Sequence, residues 1–217
     1  MSIKKLKRFD HTDPYDNNLF TCLNYPVAGA SYPERNYVQI AAFDPGVVNT
    51  GCRIERRAIV DGKEKITTIQ QKLINTKTGT GEHYFMTLKK ELYAIASDLY
   101  GCDYILIESQ MRTNPEAIRM SQHIISTILC IVEGSRAQVM EILPTVKSKA
   151  FGIKGLKGRD LKMKAVEIAR EILTSRQDLH GLECIKKSKK KDDHSDVVLY
   201  CDAWSRYLEV KNFSERF

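Results

Sequence analysis

The chain has 217 residues, 42% of them apolar and 28% charged, with a formal net charge of +7. This is enough for one sizeable core, or one domain plus an extension, and the positive balance suits a polyanionic partner. The longest apolar run, Ile124 to Val132, contains Ser126 and Thr127 and is too short to span a bilayer. No apolar stretch near the N-terminus reads as a secretory signal.

Residues 1–35 form the first segment. They begin basic (Lys4, Lys5, Lys7, Arg8), continue through Asp10, Asp13, Pro14, Asn17, Asn18, Pro26 and Pro33, and lack periodicity. They read as an irregular extension ahead of a domain over residues 36–217. A basic start could serve as a targeting or nucleic-acid arm, although a solvated tail is the favoured reading, and Asp10, Asp13 and Asp16 argue against a mitochondrial presequence.

Tyr37 to Phe43 reads as a strand, broken by Asp44-Pro45-Gly46. Gly51 to Val60 and Lys65 to Ile74 read as two more, joined by a turn at Asp61-Gly62, which gives an antiparallel meander. Helical spacing from Glu82 carries Phe85, Leu88, Leu92, Ile95, Ala96 and Leu99, and Gly101 ends it. Tyr104 to Ile107 has the continuous apolar character of a central parallel strand. Asn114-Pro115-Glu116 opens a helix that runs to about Glu133, closed by Gly134. Ala137 to Leu143 is a further strand, stopped by Pro144. Leu161, Ala165, Ile168, Ala169, Ile172 and Leu173 make a helical stripe. A lysine-rich loop (Lys186, Lys187, Lys189, Lys190, Lys191) precedes a last helix from about Asp193, with Val197, Tyr200, Trp204 and Tyr207-Leu208 on one side. The order β-β-β-α-β-α-β-α-α is α/β with a mixed central sheet flanked by helices.

Asp44 and Glu108 each follow an apolar strand, at the carboxyl ends where functional groups gather in α/β sheets. Asp193 and Asp196, three apart, share a helix face near its N-terminus. Capping by Asp192, Asp193 or Ser195 would account for one of these acids, hardly for three within five residues. If the four carboxylates converge, a hard divalent metal is the usual means of holding them together. The glycines of Asp44-Pro45-Gly46 to Asn49-Thr50-Gly51 would let backbone approach a phosphate or metal. Lys147 and the basic, glycine-bearing loop with Lys154, Lys157, Arg159, Lys162 and Lys164 fit phosphate contact. The cysteines (Cys22, Cys52, Cys102, Cys130, Cys184, Cys201) include no C-x-x-C pair and no zinc-finger spacing to His, so buried reduced thiols in an intracellular protein are expected. The histidines form no ligand cluster. His194, between Asp193 and Asp196, could support a ligand or be solvated.

Three segments together resemble the RuvC-type Holliday junction resolvases, most of all the poxvirus and fungal mitochondrial branch. They are Phe43-Asp44-Pro45-Gly46 through Gly51, Ile107-Glu108-Ser109-Gln110-Met111-Arg112, and Lys190-Lys191-Asp192-Asp193-His194-Ser195-Asp196. Pro144-Thr145-Val146-Lys147 and the basic loop after it match in order. The resemblance spans about residues 37 to 210. It implies an RNase H-like fold and a homodimer that cuts opposed strands of a four-way DNA junction. Asp44, Glu108, Asp193 and Asp196 would bind two Mg²⁺ or Mn²⁺ ions, with Asp192 competing for the place of Asp193. Lys147 or Lys162 would be the active-site lysine, and the helix from Pro115 to Glu133 the dimer contact. No small-molecule cofactor is implied, and the site of action would be a viral replication site, nucleus or mitochondrion. Three other readings compete: a general RNase H-like nuclease acting on hybrids or flaps, a non-catalytic DNA-binding scaffold, and an actin-like ATPase.

Overall fold

The computed structural model describes residues 19–24, 31–77 and 82–212. The basic N-terminal arm lies outside them. The described elements are β1 (Phe20–Cys22), β2 (Tyr37–Asp44), β3 (Asn49–Val60), β4 (Lys63–Asn75), α1 (Tyr84–Ala94), α2 (Ala96–Tyr100), β5 (Tyr104–Glu108), α3 (Pro115–Ile131), β6 (Gln138–Ile142), α4 (Thr145–Ala150), α5 (Gly158–Ser175), α6 (Leu179–Lys187) and α7 (Lys191–Asn212). The six strands form one sheet in the order β1-β6-β5-β2-β3-β4. β2, β5 and β6 are parallel, while β3, β4 and β1 pair antiparallel to their neighbours. Asp61 and Gly62 both have positive φ, as a two-residue hairpin turn matched to strand twist requires.

Each face of the sheet carries its own apolar layer. Ala41, Phe43, Cys52, Ile54, Ile105 and Ile107 face α1, α2 and α3 through Leu88, Leu92, Leu99, Met120, Ile124 and Ile128. Ile40, Ala42, Tyr104 and Leu106, at the alternate strand positions, face α7 through Val197, Tyr200, Cys201 and Trp204. α5 packs on α7 through Ala165, Ala169, Leu173 and Leu199, and α6 joins them through Ile185 while also reaching β4, where Cys184 Sγ donates to Gln71 O. Burying each of the Leu, Ile, Val, Phe and Met side chains among these contributes roughly 1.5–3 kcal/mol.

Several local expectations are revised. Within the segment expected to be irregular, β1 pairs with the β6 edge, and Phe20 packs edge-on to Trp204 with ring centroids 4.9 Å apart. Asn24 reinforces this edge, accepting from Val139 N and donating to Ala137 O. The single helix expected from Glu82 is two, broken at Ile95 (φ −113°, ψ 16°). α4 and α6 occupy stretches that carried no helical pattern of their own, and Asp178 caps α6 by accepting from Gly181 N at 2.8 Å. In α3, the run Ile124 to Val132 turns Ile124, Ile125, Ile128 and Val132 into the core, leaving Arg119, Gln122, Ser126 and Cys130 on the outer face. Cys52, Cys102 and Cys201 are buried thiols, but Cys130 is exposed.

Under α5–α7, the β3–β4 end of the sheet is ionic. Arg53 and Glu55 are fully buried, with Arg57 nearly so. Arg53 Nε donates to Glu55 at 2.7 Å, Arg53 Nη2 to Asp178 at 2.7 Å, and Arg57 Nε to Glu55 at 2.7 Å. Arg176 pairs with Asp202, which also accepts from Arg206. Buried charge is tolerated where every member finds a partner. The network ties β3 to α6 and α7, and so fixes the helices that carry the last acidic cluster.

Candidate active site at the carboxyl ends of the central strands

β2 and β5 run parallel with Phe43 opposite Ile107, so Asp44 and Glu108 follow side by side at the strand ends. Strand alternation turns both toward α7, the face that already holds Ala42 and Leu106. β6 ends beside Glu108, with Ile142 opposite it, and Pro144 turns the chain into α4. That short helix lowers Lys147 into the space above Glu108. α7 brings Asp196 to the same place, and Lys147 Nζ lies 2.5 Å from its carboxylate.

Gly51 sets the height of α7 over the sheet. It pairs with Asp44 across β2–β3, and a Cβ there would meet the Asp193 carbonyl oxygen at 2.7 Å and Val197 Cγ1 at 3.2 Å. The close approach that this glycine allows is to the helix backbone of α7. Gly51→Ala is expected to destabilise the protein by about 1–3 kcal/mol through overpacking, read as a lower urea midpoint. An unchanged midpoint would mean the helix start yields freely.

The electrostatics are those of acids crowded with too little positive charge. Burial, then the Glu108 carboxylate and Asp196, push the Asp44 pKa well above its ordinary value; Lys147 only partly offsets this. Asp196 is pushed up to about 6, chiefly by burial, against the pull of Lys147. Burial would lower the Lys147 pKa, but Asp196, Glu108 and Asp44 raise it, so the ammonium stays charged. The ammonium also lies over the Tyr200 ring, 5.1 Å from its centroid. Burial, then Glu108, Asp196 and Asp44, raise the Tyr200 pKa, so the phenol keeps its proton.

The remaining candidates sit at the rim. Asp193 is half-buried, its pKa raised by burial and by Asp192. Asp192 accepts from the exposed Lys162 at 2.5 Å, and this ammonium outweighs burial to hold its pKa down. Asp192 and Asp193 lie in the first turn of α7. Ser195 is not a cap, since its hydroxyl donates to Lys191 O. His194 is buried, and burial lowers its pKa. The structure thus gathers Asp44, Glu108, Asp196 and Lys147, sets the half-buried Asp192 and Asp193 at their edge, Asp192 near Asp196 and Asp193 near Glu108, and leaves Lys162 exposed against Asp192. Beyond Lys162, a groove runs along α5 and the start of α7, lined by Arg159, Lys162, Arg170, Lys189 and Lys191 together with the acids Glu167, Glu171 and Asp192. Sequence reasoning missed Tyr200, which reads as one more apolar residue of the α7 stripe.

Hard oxygen donors in this excess suit a divalent ion. Among the described residues, no three such side chains already form an ion cage, because Asp196 is turned to Lys147 and Asp44 to Glu108. The Lys147 ammonium is the one cation set among Asp44, Glu108 and Asp196 in the described residues, and a divalent ion would add the positive charge that these acids favour.

No protein-family model and no curated protein matches the sequence. Solved structures do match in fold. The chain is similar to Thermus thermophilus RuvC in complex with a Holliday junction substrate (16% identity, TM-score 0.53, 78% of this chain and 96% of that one). It is similar to the fowlpox virus Holliday junction resolvase (17% identity, TM-score 0.52, 80% and 99%). It is likewise similar to the yeast mitochondrial Holliday junction resolvase (15% identity, TM-score 0.56, 87% and 84%). The fold is therefore the RNase H-like α/β fold of the RuvC-type resolvases, as the motifs implied.

Proposed function

We propose that this chain is a divalent-metal-dependent, structure-selective endonuclease that resolves four-way DNA junctions by paired cuts, in recombination or in resolving viral genome concatemers. The observation that carries the reading is the convergence of Asp44, Glu108, Asp196 and Lys147 at the carboxyl ends of the central strands, in a fold shared with three Holliday junction resolvases. Asp44, Glu108 and Asp196, with Asp193 at the rim, would hold Mg²⁺ or Mn²⁺, as a pair of ions. Such ions supply a nucleophilic water at neutral pH and stabilise charge on the leaving oxygen. The products would carry a 5′ phosphate and a 3′ hydroxyl.

The protein's own groups do the rest. Two-sided packing of the sheet holds Asp44 and Glu108 rigidly. Lys147 is the active-site lysine in this reading, because its ammonium lies among the acids and can turn from Asp196 to the scissile phosphate. Lys162, with Arg159, Arg170, Lys189 and Lys191, would hold the DNA backbone. Lys147→Ala is then expected to slow cutting by about a hundredfold at saturating DNA. Lys162→Ala should instead weaken binding and reduce its salt dependence. The reverse pattern in single-turnover and filter-binding assays would exchange the two roles.

A second copy would supply the second cut. Any two-fold contact through α3 would use its outer face, because the apolar run is spent on the core. The test of substrate class is incision of a synthetic four-way junction beside linear duplex, flap and RNA–DNA hybrid, with Mg²⁺, Mn²⁺ or chelator. Preferential metal-dependent cutting of the junction supports the reading. Preference for hybrid or flap overturns it in favour of a general RNase H-like nuclease, and tight binding with no cutting makes the protein a scaffold.

A further inference from the structure

Tyr200 lies on α7 one turn beyond Asp196 and is fully buried. Its ring packs in the apolar layer with Ala42, Leu106 and Val146 and carries the Lys147 ammonium over its face. Phenylalanine would fill the same volume and offer the same π face. The hydroxyl is what needs explaining. It is buried against Glu108, Asp196 and Asp44, within reach of Glu108 but without a hydrogen bond of good geometry. A buried tyrosine hydroxyl ordinarily finds a partner, and leaving one unpaired is costly. The hydroxyl has one donor to give, and acidic oxygens surround it.

We propose that Tyr200 is a positioning residue for the ion-loaded state. Its hydroxyl donates to Glu108 when the carboxylates draw together around divalent ions, and its ring seats Lys147. The inference rests on the metal-dependent reading of this site. Two jobs meet in one side chain. A donor from behind fixes which carboxylate oxygen faces the ions, as outer partners of metal ligands commonly do. The aromatic face holds an ammonium that must leave Asp196 without leaving the site.

The test is Tyr200→Phe, which removes only the hydroxyl. Mn²⁺ affinity is measured on DNA-free protein by counting free Mn²⁺ through its paramagnetic resonance signal, and thermal midpoints are taken in chelator. The expected result is a Mn²⁺ affinity lower by about 10- to 100-fold. The chelator midpoint should be equal to wild type or higher, since the variant loses an unpaired buried group. Junction cutting should recover as Mn²⁺ is raised. Wild-type-like Mn²⁺ affinity in the variant overturns the role of Tyr200 and leaves the reading of the site intact. Failure of the wild-type protein to bind Mn²⁺ overturns both. A lower chelator midpoint with unchanged affinity assigns the hydroxyl a purely structural role and also overturns the proposal.

Discussion

Asp44→Asn, Glu108→Gln and Asp196→Asn are each expected to abolish junction cutting while leaving junction binding nearly unchanged. The amides keep the size of the acids and remove the charge. If the three carboxylates hold the ions that make the reaction possible, the loss should be at least about a thousandfold, or about 4 kcal/mol of barrier at 1.36 kcal/mol per tenfold. Binding should survive because most contact with the junction would run through the phosphate backbone and the basic residues along α5 and α7. Stability supplies an independent check. Asp44 is a buried acid whose pKa is raised by burial and by Glu108, so neutralising it relieves crowding, whereas the Asp196 amide would leave the buried Lys147 ammonium without its partner. The Asp44→Asn protein should therefore melt no lower than wild type in chelator. A rate within tenfold of wild type would remove that residue from the machinery, and loss of binding together with cutting would count against a purely catalytic role.

Glu55→Gln is expected to produce the largest loss of stability, about 3–5 kcal/mol in urea unfolding. Glu55 is fully buried between Arg53 and Arg57, with Arg176 4.0 Å away. Removing its charge leaves guanidinium groups packed together without their shared counterion. The same network predicts a pH dependence. Burial alone would raise the Glu55 pKa, but Arg57, Arg53 and Arg176 overcome it and hold it at about 2, against an ordinary 4.5. The folded form thus binds this proton less tightly than the unfolded chain. Its stabilising contribution, of order 3 kcal/mol, is complete above about pH 4.5 and fades as pH falls toward 2. Urea titrations of wild type and Glu55→Gln over pH 2.5–6 should converge at the acid end. Parallel curves would show that Glu55 does not carry the effect.

What the sequence exposed and what it hid follow from the reach of its signals. Asp44 and Glu108 were legible because each ends an uninterrupted apolar strand, and parallel pairing then brings strand ends together. The meander, the central strand and α3 were legible by periodicity and by Asp61-Gly62, Pro115 and Gly134. Arg53, Glu55 and Arg57 alternate with Cys52 and Ile54 just as a solvated strand face would. Nothing local says that α5–α7 cover that face. β1 was hidden because three residues between Asn18 and Pro26 are too few for a pattern, and its support comes from Trp204 and Asn24. Spacing could not say which of Lys147 and Lys162 lies among the acids. That depends on the turn at Pro144, which drops Lys147 beside Asp196, and on the orientation of α5, which pairs the exposed Lys162 with Asp192.

The most direct test of the central claim uses a supercoiled plasmid that extrudes a cruciform. A resolvase cuts opposed strands of the junction within one binding event, so the plasmid should pass directly to linear DNA in Mg²⁺ or Mn²⁺. No linear product should form in chelator or with Asp44→Asn. Accumulation of nicked circles alone, or an intact plasmid under conditions in which the protein cuts RNA–DNA hybrid, would contradict the assignment.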